Sequence, residues 1–229
     1  DDTEVSPYFY IWLKNAINQF HDPSRLFAFS LQRPWLNVGR FPEDFEGPSE
    51  SEQTRSFVYQ MIGSWGTVFS SETWRFLRLW FEANHQVIQL DTVEEEDGTK
   101  SMRFVNSGSA LIQGSTVTNH WYHETKGKML TPWLTKFSHD FGAFCVYPHL
   151  PSAFSLLVNH QEKGLYQPET LGPDSVLLRN INEVVGGLSV LSTSSSLSSL
   201  PVFDLCGDRV PSLDHLHRLN PIVCKPRSS

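Results

Sequence analysis

The first twenty residues constrain the fold most, because they place an acidic turn directly before a helix. Two carboxylates, Asp1 and Asp2, stand at the start of the printed sequence. Ser6 and Pro7 follow as a helix N-cap and a proline at the first helical position, and they predict a helix to about Phe20. Carboxylates held ahead of a rigid helix can bind a hard cation such as Mg²⁺ or Mn²⁺. The alternative is an acidic turn that the helix dipole favours.

The composition indicates a folded globular protein and argues against nucleic acid as a partner. The chain has 229 residues, of which 39% are hydrophobic and 13% aromatic. Its net charge is −7, from 18 basic and 25 acidic residues, and no Lys or Arg run is present. No apolar run approaches the roughly 20 residues that a membrane span needs. The three cysteines lack metal-ligand spacing, and Cys206 and Cys224 are either disulfide-bonded in a lumenal compartment or free and buried.

Apolar periodicity predicts a series of helices and strands. Helices are expected at residues 7–20, 71–84 and 131–141, and strands at residues 26–31, 143–147 and 201–205. The expected buried faces are Phe9, Trp12, Leu13, Ala16, Ile17 and Phe20 in the first helix and Trp74, Leu77 and Phe81 in the second. Ser71 is expected to cap the second helix, and Gly142 is expected to end the third.

Three stretches lack this periodicity. The long loop at residues 32–54 is rich in Pro, Gly and acids, so it is either a functional loop or, over residues 43–54, a disordered insertion. Residues 91–100 are read as an acidic hairpin tip or a solvated insertion, with a cation site as the less favoured alternative. Residues 188–200 are rich in serine and predict a flexible linker.

Two segments combine aromatic side chains with polar or glycine neighbours. Gly63 and Gly66 flank Trp65, so both the backbone and an indole face can approach a ligand closely. The alternative for this segment is a plain strand with a packed tryptophan. Residues 118–124 form the densest polar-aromatic cluster in the chain.

The opening segment resembles a motif of GT-A glycosyltransferases. Its sequence, Asp1-Asp2-Thr3-Glu4-Val5-Ser6-Pro7-Tyr8-Phe9, is similar to the Glu-Asp-Asp-x-Glu-Val-x-Pro-x-Phe segment of that class, which includes the medial-Golgi N-acetylglucosaminyltransferases. In those enzymes the acidic run ends a strand and binds the metal that bridges the diphosphate of the nucleotide sugar. The first acid of the run is absent here, so the resemblance implies a nucleotide-binding half upstream of Asp1.

Further segments resemble a little-characterised eukaryotic branch of these enzymes, in the same order along the chain. They are the strand containing Leu31, Trp65-Gly66, Thr118-Asn119-His120-Trp121, Tyr147-Pro148-His149 with His149 in place of Asn, Asn159-His160 and the terminal segment 201–205. The departures are an acidic insertion at residues 91–100, extra residues at 123–128 and the apolar residues 156–158. These departures affect the prediction of the catalytic base and of the geometry of acceptor binding.

The resemblance implies an α/β chain with a mixed sheet and flanking helices, the C-terminal portion of a GT-A domain. On this interpretation, residues 1–190 bind the metal and the acceptor, residues 191–200 are a Ser-rich linker and residues 201–229 are a C-terminal tail. The implied activity is metal-dependent transfer, with inversion, of a sugar from a nucleotide-sugar donor to a glycan or glycoconjugate acceptor. The implied location is the Golgi or endoplasmic reticulum lumen, with any membrane anchor upstream of this chain.

The resemblance also implies roles for individual residues. Asp2 is the expected principal ligand of Mn²⁺ or Mg²⁺, Asp1 supports it, and His160 is a third ligand or else an ordinary turn histidine. Glu124 is the expected catalytic base and Asp140 the second choice, the alternative being that Glu124 is a solvated acid. The expected substrate-binding residues are Trp65, Gly66, Asn119, His120 and Trp121.

A second class of function fits the same aromatic residues. In a non-catalytic carbohydrate-binding or scaffold domain, Trp35, Trp65 and Trp121 would stack on sugar rings. Such a domain predicts sugar affinity that depends on neither nucleotide nor Mn²⁺. A hydrolase with a serine nucleophile finds no support, because the sequence contains no Gly-x-Ser-x-Gly motif.

Overall fold

The computed structural model describes residues 2–40, 43–52, 54–85, 88–94, 100–106, 130–151, 153–163, 169–192, 196–216, 218 and 224. The helices of this part are α1 (Phe9–Phe20), α2 (Ser71–His85) and α3 (Leu130–Phe141), with short 3₁₀ helices at Ile181–Glu183, Gly187–Leu191, Leu197–Ser199 and Leu213–His215. The strands are β1 (Thr3–Val5), β2 (Phe27–Ser30), β3 (Ser56–Tyr59), β4 (Thr67–Phe69), β5 (Ile88–Glu94), β6 (Lys100–Asn106), β7 (Phe144–Pro148), β8 (Phe154–Ser155), β9 (Leu157–Asn159), β10 (Val176–Leu177), β11 (Val202–Phe203) and β12 (Arg209–Val210).

A mixed six-stranded sheet forms the centre of the fold, with the spatial order β12-β11-β3-β7-β2-β4. β11 runs parallel to β3 and β2 runs parallel to β7, whereas the other neighbours are antiparallel. β2, β3 and β7 are buried along their whole length, as expected for strands covered on both faces. The prediction of an α/β chain with a mixed sheet is therefore confirmed.

The sheet separates two hydrophobic cores, because alternate side chains of a strand point to opposite faces. In β2, Phe27 and Phe29 belong to the core that α1 covers, whereas Ala28 belongs to the other core. The second core is covered by α2 and α3, which contribute Leu77 and Phe137. The helices thus flank the sheet on both sides.

α1 starts two residues later than predicted, because its N-cap is Tyr8 rather than Ser6 and no side chain caps it, and it buries a narrower face than predicted. Ser6 Oγ accepts a hydrogen bond from the backbone N–H of Tyr8 at 3.2 Å. The fully buried residues of α1 are Trp12, Ala16 and Phe20. Ile17 was predicted to be buried, but 40% of its surface is exposed. The prediction fails because the buried residues recur every four positions, and Ile17 lies beside that line on the helix surface.

α2 differs from the prediction in its cap and in its buried face. Ser70 Oγ, rather than Ser71, accepts a hydrogen bond from the backbone N–H of Thr73 at 3.1 Å, so the predicted N-cap is wrong by one residue. Leu77 is buried, whereas Trp74 is 52% exposed. The inward face of α2 is centred on Thr73 and Leu77, and Trp74 lies about 100° from Thr73 around the helix. The prediction that Trp74 is buried is therefore wrong.

Two local predictions are confirmed. Gly142 ends α3 with a backbone φ of 63°, which glycine adopts at little cost. β5 and β6 pair as an antiparallel hairpin, with Glu94 opposite Lys100, where the acidic hairpin was expected. Its tip at residues 95–99 lies outside the described residues. Among the described helices, none has the length and apolar character that a membrane span requires.

The C-terminal region contributes to the core and to the sheet. β11 confirms the strand expected at residues 201–205. Leu191 and Leu200, at the two ends of the expected serine-rich linker, are both buried. Cys206 and Cys224 form a disulfide with their Cα atoms 5.4 Å apart, so of the two alternatives the disulfide is confirmed. The bond holds Cys224 beside the sheet. The described part of the expected tail is therefore well packed.

Candidate functional site

Two segments that lie far apart in the sequence meet through a pair of short strands. β1 pairs antiparallel with β9, so that Thr3 lies opposite Asn159. Beyond the strands, the backbone N–H of His160 donates a hydrogen bond to the carbonyl oxygen of Asp2 at 2.7 Å. The acidic opening segment and the Asn-His segment, both predicted to supply metal ligands, are therefore neighbours in space.

The side chain of His160 faces a carboxylate other than the predicted one. Its Nε2 lies 3.3 Å from an oxygen of Glu4. Arg179 forms an ion pair with the same carboxylate, with N–O distances of 2.5 Å and 2.7 Å. The hydrogen bond from Arg179, opposed by partial desolvation and assisted by His160, lowers the pKa of Glu4. Glu4 is therefore ionised at neutral pH, and the Nε2–H group of His160 donates a hydrogen bond to its carboxylate.

The contact between His160 and Glu4 affects whether His160 and Asp2 could bind a metal ion. A histidine that binds a metal commonly donates its other ring N–H to a carboxylate, as His160 does to Glu4. This arrangement would leave Nδ1 of His160 to bind a metal, and the neighbouring Asp2, which contacts His160 through its backbone carbonyl, is exposed. Carboxylate and water oxygens suit Mn²⁺, whereas an imidazole ligand is more usual for zinc, copper, iron and nickel. Three ligand atoms do not gather here among the described residues, so the set would need Asp1, water or substrate oxygens to be complete.

A second acidic cluster has a structural role. Asp204, Cys206 and Asp208 place possible ligand atoms within 4.8 Å of one another. Cys206 is bonded to Cys224, so its sulfur cannot bind a metal as a thiolate. Oδ1 of Asp204 accepts hydrogen bonds from the backbone N–H groups of Cys206 and Asp208, and Asp208 pairs with Arg40 at 2.7 Å. These contacts shape the turn after β11.

Asp174 is a site residue that the sequence did not single out. Its Oδ1 accepts a hydrogen bond from the backbone N–H of Asn159 at 3.0 Å, and its own N–H donates to the Asn159 carbonyl at 3.0 Å. Oδ2 is buried and accepts no hydrogen bond from the residues that the structure describes. Burial raises the pKa of Asp174. A lone aspartate in a Gly172-Pro173-Asp174 turn carries no pattern that would have identified it.

Replacing Asp174 by asparagine is expected to raise the free energy of unfolding at pH 7. Because burial raises the pKa of Asp174 in the folded state, the charged carboxylate opposes folding at neutral pH, and the amide removes that cost. The gain should shrink as pH falls through the raised pKa and vanish below the ordinary value of 3.8. Urea titrations at several pH values measure it.

The matched control is Glu162→Gln, which removes one charge from an exposed side chain. It should leave the free energy of unfolding within about 0.5 kcal/mol of the starting value. A lower stability of Asp174→Asn at pH 7 would show that the hydrogen bonds to the charged carboxylate outweigh the cost of burying it.

The Trp65-Gly66 turn lies against the same strand pair. Gly66 has a backbone φ of 58°, and a Cβ at this position would lie 2.5 Å from Cδ1 of Leu157. Its carbonyl accepts a hydrogen bond from the backbone N–H of Leu31. Leu157 in turn pairs with Val5 in β1. Gly66 therefore packs against one end of the β1–β9 pair, at Leu157, whereas Asp2 and His160 lie beyond its other end.

Asp140, the second candidate for the base, lies elsewhere. It is buried and accepts hydrogen bonds from Lys136 at 2.5 Å and His139 at 3.1 Å. Thr131 at the start of α3 lies 3.3 Å from Ser64, next to the Trp65 turn. Asp140 is nine residues further along the helix, which places it about 14 Å away. The other expected site residues, Asp1, Asn119, His120, Trp121 and Glu124, lie outside the described residues.

Comparisons with protein-family models, with characterised proteins and with solved structures return no match. Any functional assignment therefore depends on the motifs and on this geometry.

Proposed function

We propose that the chain is the metal- and acceptor-binding part of a GT-A glycosyltransferase, which transfers a sugar from a nucleotide-sugar donor to a glycan or glycoconjugate. The observation that carries the proposal is the pairing of β1 with β9. It places the acidic segment beside His160, although 156 residues separate Glu4 from His160. An acidic turn offers the carboxylate oxygens that a cation beside a diphosphate uses, and His160 would add a further ligand.

The proposed site assigns a physical task to each residue. Asp2 and His160 would hold Mn²⁺ or Mg²⁺, with Asp1 in support, and the metal would supply charge neutralisation to the departing diphosphate. Glu4 fixes the orientation of the His160 ring, and Arg179 keeps Glu4 ionised. Glu124 remains the proposed base that removes the proton from the acceptor hydroxyl.

The burial of Asp140 against Lys136 favours Glu124 over Asp140 as the base. A carboxylate held in a buried ion pair at the far end of α3 is poorly placed to meet an acceptor at the Trp65 turn. Trp65, Gly66, Asn119, His120 and Trp121 are the proposed contacts to substrate, and inversion remains the proposed stereochemistry.

The disulfide between Cys206 and Cys224 supports the proposed location. Disulfides persist in oxidising compartments such as the lumen of the endoplasmic reticulum and the Golgi. A membrane anchor, if the protein has one, would lie outside the printed sequence.

A non-catalytic carbohydrate-binding domain is the second candidate. The exposure of Trp35, with 42% of its surface accessible, favours it, since an exposed indole offers a face to a sugar ring. The two candidates differ in whether binding requires nucleotide and metal.

Thermal denaturation with and without ligands separates these candidates. We expect UDP- or GDP-sugars to raise the melting temperature only when Mn²⁺ is present, by the equivalent of about 2.7 kcal/mol at a ligand concentration 100 times Kd. Equal stabilisation in the presence of EDTA, or stabilisation by free sugars alone, would favour the carbohydrate-binding domain. No stabilisation by any nucleotide sugar with Mn²⁺ would overturn the proposal.

A further inference from the structure

His160 lies at the middle of a tight turn that begins where β9 ends. Oδ1 of Asn159 accepts a hydrogen bond from the backbone N–H of Gln161 at 2.8 Å, which closes the turn around His160. Gln161 has a backbone φ of 49°, in the left-handed region that a residue with a Cβ adopts only when its surroundings hold it there. The path of the chain beyond His160 is therefore imposed by tertiary contacts.

Asp174 holds the start of the same turn through two hydrogen bonds to one residue. Its Oδ1 accepts from the backbone N–H of Asn159, and its own N–H donates to the Asn159 carbonyl, both at 3.0 Å. The hydroxyl of Ser175 donates to the same Oδ1 at 3.1 Å. The Asn159 carbonyl belongs to the peptide group that leads into His160. Asp174 therefore fixes the position and the rotation of the backbone that carries the imidazole.

The end of β9 is held from both sides. Asn159 directs its backbone N–H and carbonyl to Asp174, whereas the next residue, His160, donates its N–H to the carbonyl of Asp2. This alternation is usual in a strand, where the polar groups of one residue point to one side and those of the next residue to the other. His160 is thus clamped between the turn that contains Asp174 and the opening segment.

The register of β1 and β9 decides which side chains the imidazole joins. Glu4 lies opposite Val158, so continuing the register by two residues places Asp2 opposite His160. Opposite residues of a strand pair share a face, and so does every second residue along a strand. Nε2 of His160 accordingly lies 3.3 Å from the Glu4 carboxylate. A rotation of the backbone at His160 would carry the ring away from both acids.

We propose that Asp174 is a positioning residue for His160: by clamping the peptide group that enters His160, it presents the imidazole to the proposed cation site. The inference rests on the proposed function in taking His160 as a ligand of that site. Residues that orient a ligand without touching the metal commonly change metal affinity by about 10–100-fold when they are replaced. Asp174 holds the backbone of the ligand rather than its ring.

The first test reads the ring of His160 in the 229-residue chain without metal. In the wild type we expect NMR cross-peaks between the ring protons of His160 and the methylene protons of Glu4, because the two side chains are in contact. Asp174→Ala removes the acceptor of the Asn159 N–H and should lose these cross-peaks. Asp174→Asn keeps a carbonyl oxygen in place of Oδ1 and should retain them.

Two further variants separate positioning from a general loss of stability. Asp174→Glu keeps the charge but displaces the carboxylate by one methylene group, so it should also lose the cross-peaks, and it tests the position if Asp174→Ala fails to fold. Leu77→Val removes a methylene group from the core on the other face of the sheet and should retain them. Wild-type cross-peaks in Asp174→Ala or Asp174→Glu, or equal losses in Leu77→Val, would overturn the inference.

Titration with Mn²⁺ alone distinguishes this inference from the proposed function. Mn²⁺ should broaden the ring signals of His160 in the wild type and should bind at least about tenfold more weakly to Asp174→Ala. An unchanged Kd for Mn²⁺ in Asp174→Ala would overturn the inference and leave the proposed function standing. No broadening in the wild type would overturn the proposed metal site, and the metal-free cross-peaks would then decide whether Asp174 positions the ring.

Discussion

Asp2→Asn is expected to abolish Mn²⁺-dependent stabilisation by nucleotide sugars and to lower transferase activity at least about 100-fold. Changes to residues that merely support metal ligands already cost about 10–100-fold, and Asp2 is the proposed ligand itself. The fold should be unaffected, because the Asp2 side chain is exposed and its contact with His160 is made by the backbone carbonyl. Thermal denaturation with donor and Mn²⁺, and transfer assays of the protein, measure the effect.

Glu82→Gln is the matched control for Asp2→Asn. Glu82 is also an exposed acid, but it lies on α2, where it pairs with Arg78. Its replacement removes one negative charge without touching the proposed site, so Mn²⁺ dependence should persist. Donor binding at the wild-type level in Asp2→Asn would contradict the proposed metal site. Equal losses in Asp2→Asn and Glu82→Gln would show that the loss comes from the change in net charge.

Trp12→Ala is expected to destabilise the protein by about 3–5 kcal/mol, the usual range for deleting a buried tryptophan. Trp12 is fully buried in the core between α1 and the sheet, with its ring 6.4 Å from that of Phe29 in an edge-to-face arrangement. The loss is a large share of the roughly 5–15 kcal/mol by which domains are stable. Urea titration followed by far-UV circular dichroism measures it, and failure to fold is the extreme form of the same result.

Trp12→Phe is a milder variant that tests the same position if Trp12→Ala fails to fold. Nε1 of Trp12 is buried and has no hydrogen-bond partner among the described residues. Phenylalanine removes this unpaired N–H and retains a ring, so its loss should be clearly smaller than that of alanine. Trp74→Ala, at an exposed position, should change stability by no more than about 0.5 kcal/mol. A loss below 1 kcal/mol for Trp12→Ala would contradict the assignment of Trp12 to the core.

Local signals in the sequence predicted much of the fold. The buried strand at β2, the glycine end of α3 and the β5–β6 hairpin follow from apolar runs, glycine chemistry and an acidic turn. The errors at Ile17 and Trp74 have a common cause. Periodicity gives the apolar stripe of a helix, but tertiary packing selects which part of that stripe faces the core.

The candidate site was less predictable, because it depends on contacts between distant segments. The resemblance implied that Asp2 and His160 act together, but the pairing of β1 with β9 and the orientation of His160 towards Glu4 are tertiary features. The sequence did not identify Asp174, because the raised pKa of this residue comes from its burial beside Asn159 and Gln32. A single acid in a turn acquires a raised pKa of this kind only after the chain has folded around it.

The strand pairings also determine when the protein can mature during translation. β1 leaves the ribosome 154 residues before its partner β9 (Glu4 to Val158), and β3 leaves it 144 residues before β11 (Val58 to Val202). While the intervening residues are made, nascent chains therefore carry open sheet edges and uncovered aromatic side chains, a condition that recruits chaperones. The proposed cation site can assemble only once His160 has followed Asp2 out of the ribosome, 158 residues later.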